Sequence, residues 1–291
     1  GGSSQSGGAS NESTVERLDY ASDTSTMVVK GPLAQGARKM TATGTASYGY
    51  VGGGTNPNIS MIQRIDYASD TSTAVAKGPL TSTRDSFASF SAPGHGYFTG
   101  GTPSSTVERM DYANDTATAT AKGPLSLARG YDSGVSSRDI GGALSETPTF
   151  IPRIRWVDSV AETPGAGPAY GYMGGGSPGP LSSIDRIDYA NDTAATSTVS
   201  TLPTARRYLF GVASLTHAYW GGGLNSSGPE TSTIERLDLA NDTTAAAAKG
   251  PLSAVGEEFS ATGNKNYGYI NGDDKSRVDR IDYASDTSTT S

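Results

Sequence analysis

The chain has no cysteine and only two histidines, His95 and His217, among 291 residues. The missing thiols exclude a disulfide framework, a thiolate metal site and a cysteine nucleophile. Two isolated imidazoles cannot supply a multi-histidine centre. Large apolar residues are also scarce. Leu, Ile, Val and Phe make up 44 of the 291 residues, about 15%, below the roughly 20% under which a chain is usually too polar to build a core. No run approaches the roughly 18 apolar residues of a membrane span, so no membrane insertion is expected. Lys and Arg number 22 against 29 acidic residues and nowhere cluster, which argues against nucleic-acid binding. No segment keeps a 3.6-residue apolar period over three turns, so helices should be few. The chain opens on Gly1-Gly2-Ser3-Ser4 without Met, as expected of a processed or partial chain.

What is abundant is glycine, 38 residues, and tyrosine, 15 residues, and both fall into a repeat. One phrase recurs as Glu16-Arg17-Leu18-Asp19-Tyr20, Gln63-Arg64-Ile65-Asp66-Tyr67 and Glu108-Arg109-Met110-Asp111-Tyr112. It returns as Asp185-Arg186-Ile187-Asp188-Tyr189, Glu235-Arg236-Leu237-Asp238-Leu239 and Asp279-Arg280-Ile281-Asp282-Tyr283, with a worn copy at Pro152-Arg153-Ile154-Arg155-Trp156. The period is about 45 residues, the size of one four-stranded propeller blade. Ahead of each copy lies an aromatic-glycine phrase such as Tyr48-Gly49-Tyr50-Val51-Gly52-Gly53-Gly54. After it come a polar joint such as Ala68-Ser69-Asp70-Thr71, a Thr/Ala stretch, and Lys77-Gly78-Pro79-Leu80.

These stretches are five to eight residues long, rich in Thr, Val, Tyr and Ile, and bounded by Gly, Pro, Asn and Asp, so they read as strands. A lone four-stranded sheet cannot bury both of its faces, whereas blades stacked about an axis bury each face on a neighbour. The expected fold is therefore all-β, a single propeller over residues 1–291 built of four-stranded antiparallel blades. A count of 23 or 24 strands favours six blades, with seven as the alternative. The N-terminal segment is expected to complete the blade begun at Tyr267 and so close the ring. Residues 140–169, holding Pro148, Pro152, Pro164 and Pro168, read as an irregular, shortened repeat.

Each recurring residue has a structural reading. The triple glycines permit positive φ and close backbone approach; a phosphate loop would need a helix after them. Asp66 and Asp70 are close enough to share a calcium ion, but Ca²⁺ takes six to eight oxygens, so Asp70-Thr71 is expected to cap a turn. Arg64 and Asp66 lie on one strand face and are expected to link blades ionically. Asn114, Asn191 and Asn241 match the glycosylation pattern, but Ser22, Ser69 and Ser285 stand at the same place, which a turn tolerates. His95 and His217 read as packed variants of a Tyr or Asn position. The Thr/Ala strand fits the outer edge of a blade, with its Lys discouraging edge pairing. No catalytic spacing stands out, so no enzyme, cofactor or metal is expected.

The units differ most in the loop after the triple glycine. Asn56, Asn58, Ser104, Ser105, Asn225, Ser226, Glu230, Asp273 and Asp274 of these loops are the candidate binding residues, because variable loops on a rigid scaffold are where recognition usually sits.

The pattern resembles kelch-type β-propeller repeats. Pro203-Thr204-Ala205-Arg206-Arg207-Tyr208, Ala218-Tyr219-Trp220-Gly221-Gly222-Gly223 and Arg236-Leu237-Asp238 carry much of the kelch signature, although Ala and Val stand where kelch units place a last-strand Trp. The phrase Arg-Ile-Asp-Tyr-Ala-Ser/Asn-Asp-Thr with Lys-Gly-Pro-Leu is similar to repeats encoded by marine bacteriophages, which are associated with tail-fibre-like virion proteins. The resemblance implies a non-enzymatic propeller of a virion or an extracellular surface. Its implied partners are virion proteins, copies of itself, a host protein or a host surface glycan. A bacterial extracellular kelch-like lectin or scaffold is the alternative.

Overall fold

The computed structural model describes residues 2–3, 11–136, 170–272 and 277–291. Near the N-terminus β1 (Gly2–Ser3) pairs with β2 (Asn11–Glu12), and β3 (Glu16–Arg17) pairs with β4 (Val28–Val29). Blade 1 is β5 (Thr41–Gly44), β6 (Tyr48–Gly52), β7 (Ile62–Asp66) and β8 (Val75–Ala76). Blade 2 is β9 (Phe87–Ala92), β10 (His95–Gly100), β11 (Val107–Asp111) and β12 (Thr120–Ala121). Blade 3 is β13 (Ser133–Ser136), β14 (Tyr170–Gly174), β15 (Leu181–Asp188) and β16 (Ser197–Arg207). Blade 4 is β17 (Phe210–Ala213), β18 (His217–Gly221), β20 (Ile234–Asp238) and β21 (Ala247–Ala248), with β19 (Leu224–Asn225) paired back onto the end of β16. Blade 5 is β22 (Ser260–Gly263), β23 (Tyr267–Asn271) and β24 (Val278–Asp282). Its fourth position is taken by Ser291, which exchanges backbone hydrogen bonds with Arg280. Neighbouring strands run antiparallel throughout, so each blade is an up-and-down meander.

The result is a β-propeller of five blades rather than the expected six. The N-terminal copy of the repeat phrase supplies only a two-stranded ribbon, β3–β4, because no described strand pairs with the inner side of β3. This ribbon does not complete the blade begun at Tyr267, which has its own third strand in β24. It stands between blades 5 and 1 instead: Tyr20 stacks on Tyr269 at 5.2 Å, and Arg17 reaches Asp70 at 2.6 Å. The worn copy at 152–156, with the whole of the 140–169 segment, lies outside the described residues. Blade 3 is four-stranded without it.

The apolar clusters explain how so polar a chain folds. Each joins two successive blades. Tyr50, Ile62 and Leu80 of blade 1 pack on Phe87, Phe98 and Met110 of blade 2, and Phe90, Tyr97 and Val107 of blade 2 pack on Met173 and Ile187 of blade 3. Further clusters join blades 3 and 4 through Tyr172 and Trp220, and blades 4 and 5 through Phe210 and Ile270. A few anchors per repeat suffice, because each serves an interface rather than a private core.

Polar contacts repeat at the four seams between successive blades. The second-strand tyrosine and third-strand arginine of one blade meet an aspartate in the outer turn of the next. Tyr50 and Arg64 donate to Asp115, Tyr97 and Arg109 to Asp192, Tyr172 and Arg186 to Asp242, and Tyr219 and Arg236 to Asp286. The roles of the paired aspartates are thus opposite to the sequence expectation. Asp66 caps the short turn by accepting from the Ala68 amide, while Asp70 carries the link between neighbours. Lys77 likewise binds Asp115 at 3.1 Å instead of guarding an edge.

The Lys-Gly-Pro-Leu phrase completes the seam. Gly78 donates its amide to the Asp115 carbonyl, the Pro79 carbonyl accepts from Ala119, and Leu80 is buried. A Cβ on Gly78 would stand 1.8 Å from the Ala117 carbonyl oxygen, so glycine is required by close approach. The triple glycines use backbone freedom instead: Gly53 and Gly54 have φ of 61° and 121°.

Candidate functional site

The short segments leading into the first strands of the blades converge at one end of the propeller axis. Lys39, Ser86, Tyr131, Tyr208 and Glu258 each stand just before a first strand, and all have positive φ, between 54° and 60°. This region is uncommon for residues with a Cβ and is held only where the surroundings enforce it. Here the enforcement is a chain of backbone hydrogen bonds around the axis: Ser86 donates to Lys39, Tyr131 to Ser86 and Tyr208 to Tyr131.

The Lys39, Ser86, Tyr131 and Tyr208 side chains form one group. The Tyr131 and Tyr208 rings lie 4.3 Å apart between centroids. The Lys39 ammonium donates to the Tyr131 hydroxyl at 2.9 Å and sits 4.9 Å from its ring centre. Arg207 stacks over Tyr208 at 5.4 Å. Lys39 and Glu258 are exposed, and the two tyrosines are half-buried. Burial by itself raises the Tyr131 hydroxyl pKa, but hydrogen bonds from Lys39 and Ser86 and the ammonium charge leave it below the usual tyrosine value. The rim thus holds a pair of half-buried tyrosines flanked by two cations, with Glu258 exposed at the equivalent place in blade 5.

The glycine-following loops share this face. Asn58 of blade 1 and Ser104 of blade 2 line a cleft of about 160 Å³ together with Ser82, Thr83, Arg84, Asp85 and Thr102. This is below the roughly 300 Å³ of ordinary small-molecule pockets. It is suited to a single polar group.

The other expected binding residues do not meet in one place. Asn56 is exposed at the tip of its loop, whereas Ser105 uses its carbonyl to hold Leu125 in a seam. Asn225 accepts from the Ser227 amide and hydroxyl, and Ser226 is exposed beside it in blade 4. Glu230 bridges back to Leu224 at the base of the same loop. Asp273 and Asp274 lie outside the described residues. The axial rim was not anticipated from the sequence. The one signal is that its members stand two residues after Ala37, Arg84, Arg129, Arg206 and Gly256, a fixed place in every repeat.

The two histidines begin β10 and β18 at the position held by Tyr48 in β6, each opposite the capping aspartate. His217 has its pKa lowered by burial and by the nearby Arg236 charge. Among the described residues no group of three or more His, Asp or Glu side chains is placed to hold a metal ion, and no helix is long and apolar enough to cross a membrane. No protein-family model and no curated protein matches this chain.

Proposed function

We propose that this chain is a non-enzymatic binding propeller of a phage virion, on a tail fibre or another appendage, and that its axial rim and surrounding loops take up a host surface glycan. The observation that carries the reading is the pairing of Tyr131 and Tyr208 beside Lys39 at the axial mouth. Tyrosine offers an apolar face for the C–H side of a sugar ring and a polar tip for its hydroxyls. Lys39, Glu258 and the cleft at Asn58 and Ser104 add polar groups at the periphery. A kelch-like repeat of the marine-phage type points to the same setting.

A glycan-array screen of the purified chain tests the ligand. Binding that falls at least about tenfold in Tyr131→Ala and Tyr208→Ala, and that survives in variants with a neutral outer-face turn, supports the reading. No glycan bound, or binding indifferent to both tyrosines, overturns it. Mass spectrometry of purified particles tests the setting, since a bacterial surface lectin of the same fold would be absent from virions.

A further inference from the structure

The seam is built completely at four places between blades, and again between blade 5 and the ribbon, where Tyr269 and Arg280 both donate to Asp23. Between the ribbon and blade 1 only its outer half exists. Arg17 and Lys30 reach Asp70, the Gly31 amide donates to the Asp70 carbonyl, and Leu33 is buried. The tyrosine donor that every other seam aspartate receives has no counterpart at Asp70 among the described residues.

A second observation concerns the residue before the seam arginine. At this place Gln63, Glu108, Asp185, Glu235 and Asp279 are at most 2% exposed. Glu108, Asp185 and Glu235 are paired with Arg84, Arg129 and Arg206, which arrive from the segment leading into the first strand. Where that arginine is Ala37, the acid is Gln63, whose amide bonds the Gln35 backbone. Glu16 has kept its charge, yet it is exposed and no arginine faces it among the described residues.

A third observation is the open edge. In blades 1 to 4 the third strand lies between the second and the fourth, but among the described residues β3 pairs with β4 alone. First strands pack side by side in the order β5, β9, β13, β17, β22, with no comparable packing of β22 on β5. Ser260, Thr262 and Ala42 on these two strands are correspondingly exposed, whereas β9 is buried along most of its length.

We propose that the gap between blades 5 and 1 is a docking site for one further inner hairpin of this repeat type. Its first strand would be led in by an arginine, and its second would carry a tyrosine ahead of Gly-Gly. The arginine would answer Glu16, the tyrosine hydroxyl would donate to Asp70, and the backbone of the second strand would complete the edge of β3 by strand addition.

The test uses the full chain and a fluorescent peptide of residues 82–101, which holds Arg84 and Tyr97. Fluorescence anisotropy should show saturable one-to-one binding, with a raised Tm at saturating peptide. Peptides carrying Arg84→Ala or Tyr97→Phe should bind at least tenfold more weakly, and the Tyr97→Phe loss should vanish against the Asp70→Asn chain. In case a free hairpin is too poorly ordered to bind, a second variant replaces residues 1–9 by residues 82–101. Gly101 then precedes Ser10 in the spacing that blade 2 uses before Thr106-Val107-Glu108-Arg109, matching Thr14-Val15-Glu16-Arg17. This graft should raise Tm, and Glu16→Gln should remove much of the gain. Failure of both peptide and graft, or binding indifferent to Glu16 and Asp70, overturns the proposal. So does sedimentation showing a dimer that Glu16→Gln dissolves, which would assign the gap to a second copy.

Discussion

Asp115 gathers three donors from the preceding blade: Arg64 at 2.7 Å, Lys77 at 3.1 Å and the Tyr50 hydroxyl at 3.1 Å. Burial raises its pKa, but the hydrogen bonds from Lys77, Arg64 and Tyr50 outweigh this and hold the carboxyl below its ordinary value. The stabilisation is therefore present above about pH 4 and is lost as pH falls through the lowered folded-state pKa. Arg64→Ala should destabilise the chain by about 1–3 kcal/mol, the usual range for a lost charge-assisted hydrogen bond, read as a lower Tm at pH 7.

Asp132 behaves in the opposite sense. It stands where the other blades place Met40, Phe87, Leu209 or Phe259, it is buried, and neither of its oxygens has a hydrogen-bond partner in another residue among the described residues. Burial pushes its carboxyl up to about 7, against a smaller lowering by the Arg129 charge. Between about pH 4 and pH 7 the folded chain keeps a proton that the unfolded chain has released, so stability falls as pH rises through this window. Asp132→Leu should flatten that slope and raise stability at pH 8 by about 1–3 kcal/mol, measured by urea denaturation at several pH values. Lys39 and Tyr131 give a spectroscopic check on the rim. One tyrosine should ionise early in an ultraviolet titration, and Lys39→Met should move that ionisation to higher pH, because burial of Tyr131 is then opposed by the Ser86 hydrogen bond alone.

At the level of the element, the turn after the fourth strand is the most constrained piece of the repeat. Gly31, Gly78, Gly123 and Gly250 all place a would-be Cβ at or within 2.0 Å of a backbone oxygen in the next turn of the ring. Gly78→Ala should cost about 1–3 kcal/mol or more by forcing two blades apart, and calorimetry should show a lower Tm with no loss of strand signal. The phrase reads in sequence as a simple break between strands, because Gly-Pro is a turn signal anywhere. That it is a contact surface depends on the neighbouring blade, which the local sequence does not reveal. The aspartate pair shows the same thing. Spacing puts Asp66 and Asp70 near each other, but only the position of the adjoining Arg17 and Lys30 decides which one caps and which one bridges.

For the whole molecule, the ring of links runs from Arg17–Asp70 through each blade to Arg280–Asp23. Its thinnest member is the β3–β4 ribbon, where Val28 and Val29 are 55% and 62% exposed. Opening of the ring should begin there. Hydrogen exchange should find the amides of residues 16–17 and 28–29 least protected among the paired strands, and the central strands of blades 2 to 4 most protected.

The repeat by itself determined that the chain is all-β, that its strands come about four to a unit, and that its few apolar anchors recur once per blade. Periodicity is a local property, legible without knowing what touches what. The blade number was not legible in the same way. Glu16-Arg17-Leu18-Asp19-Tyr20 reads like the other intact copies, and only the pairing of β3 with β4 alone among the described residues shows it to be a half-unit. The axial rim was hidden for a related reason. Lys39, Ser86, Tyr131, Tyr208 and Glu258 are of four different side-chain types, so no motif unites all five. They become a group only when closure of the blades brings five equivalent backbone positions around one axis.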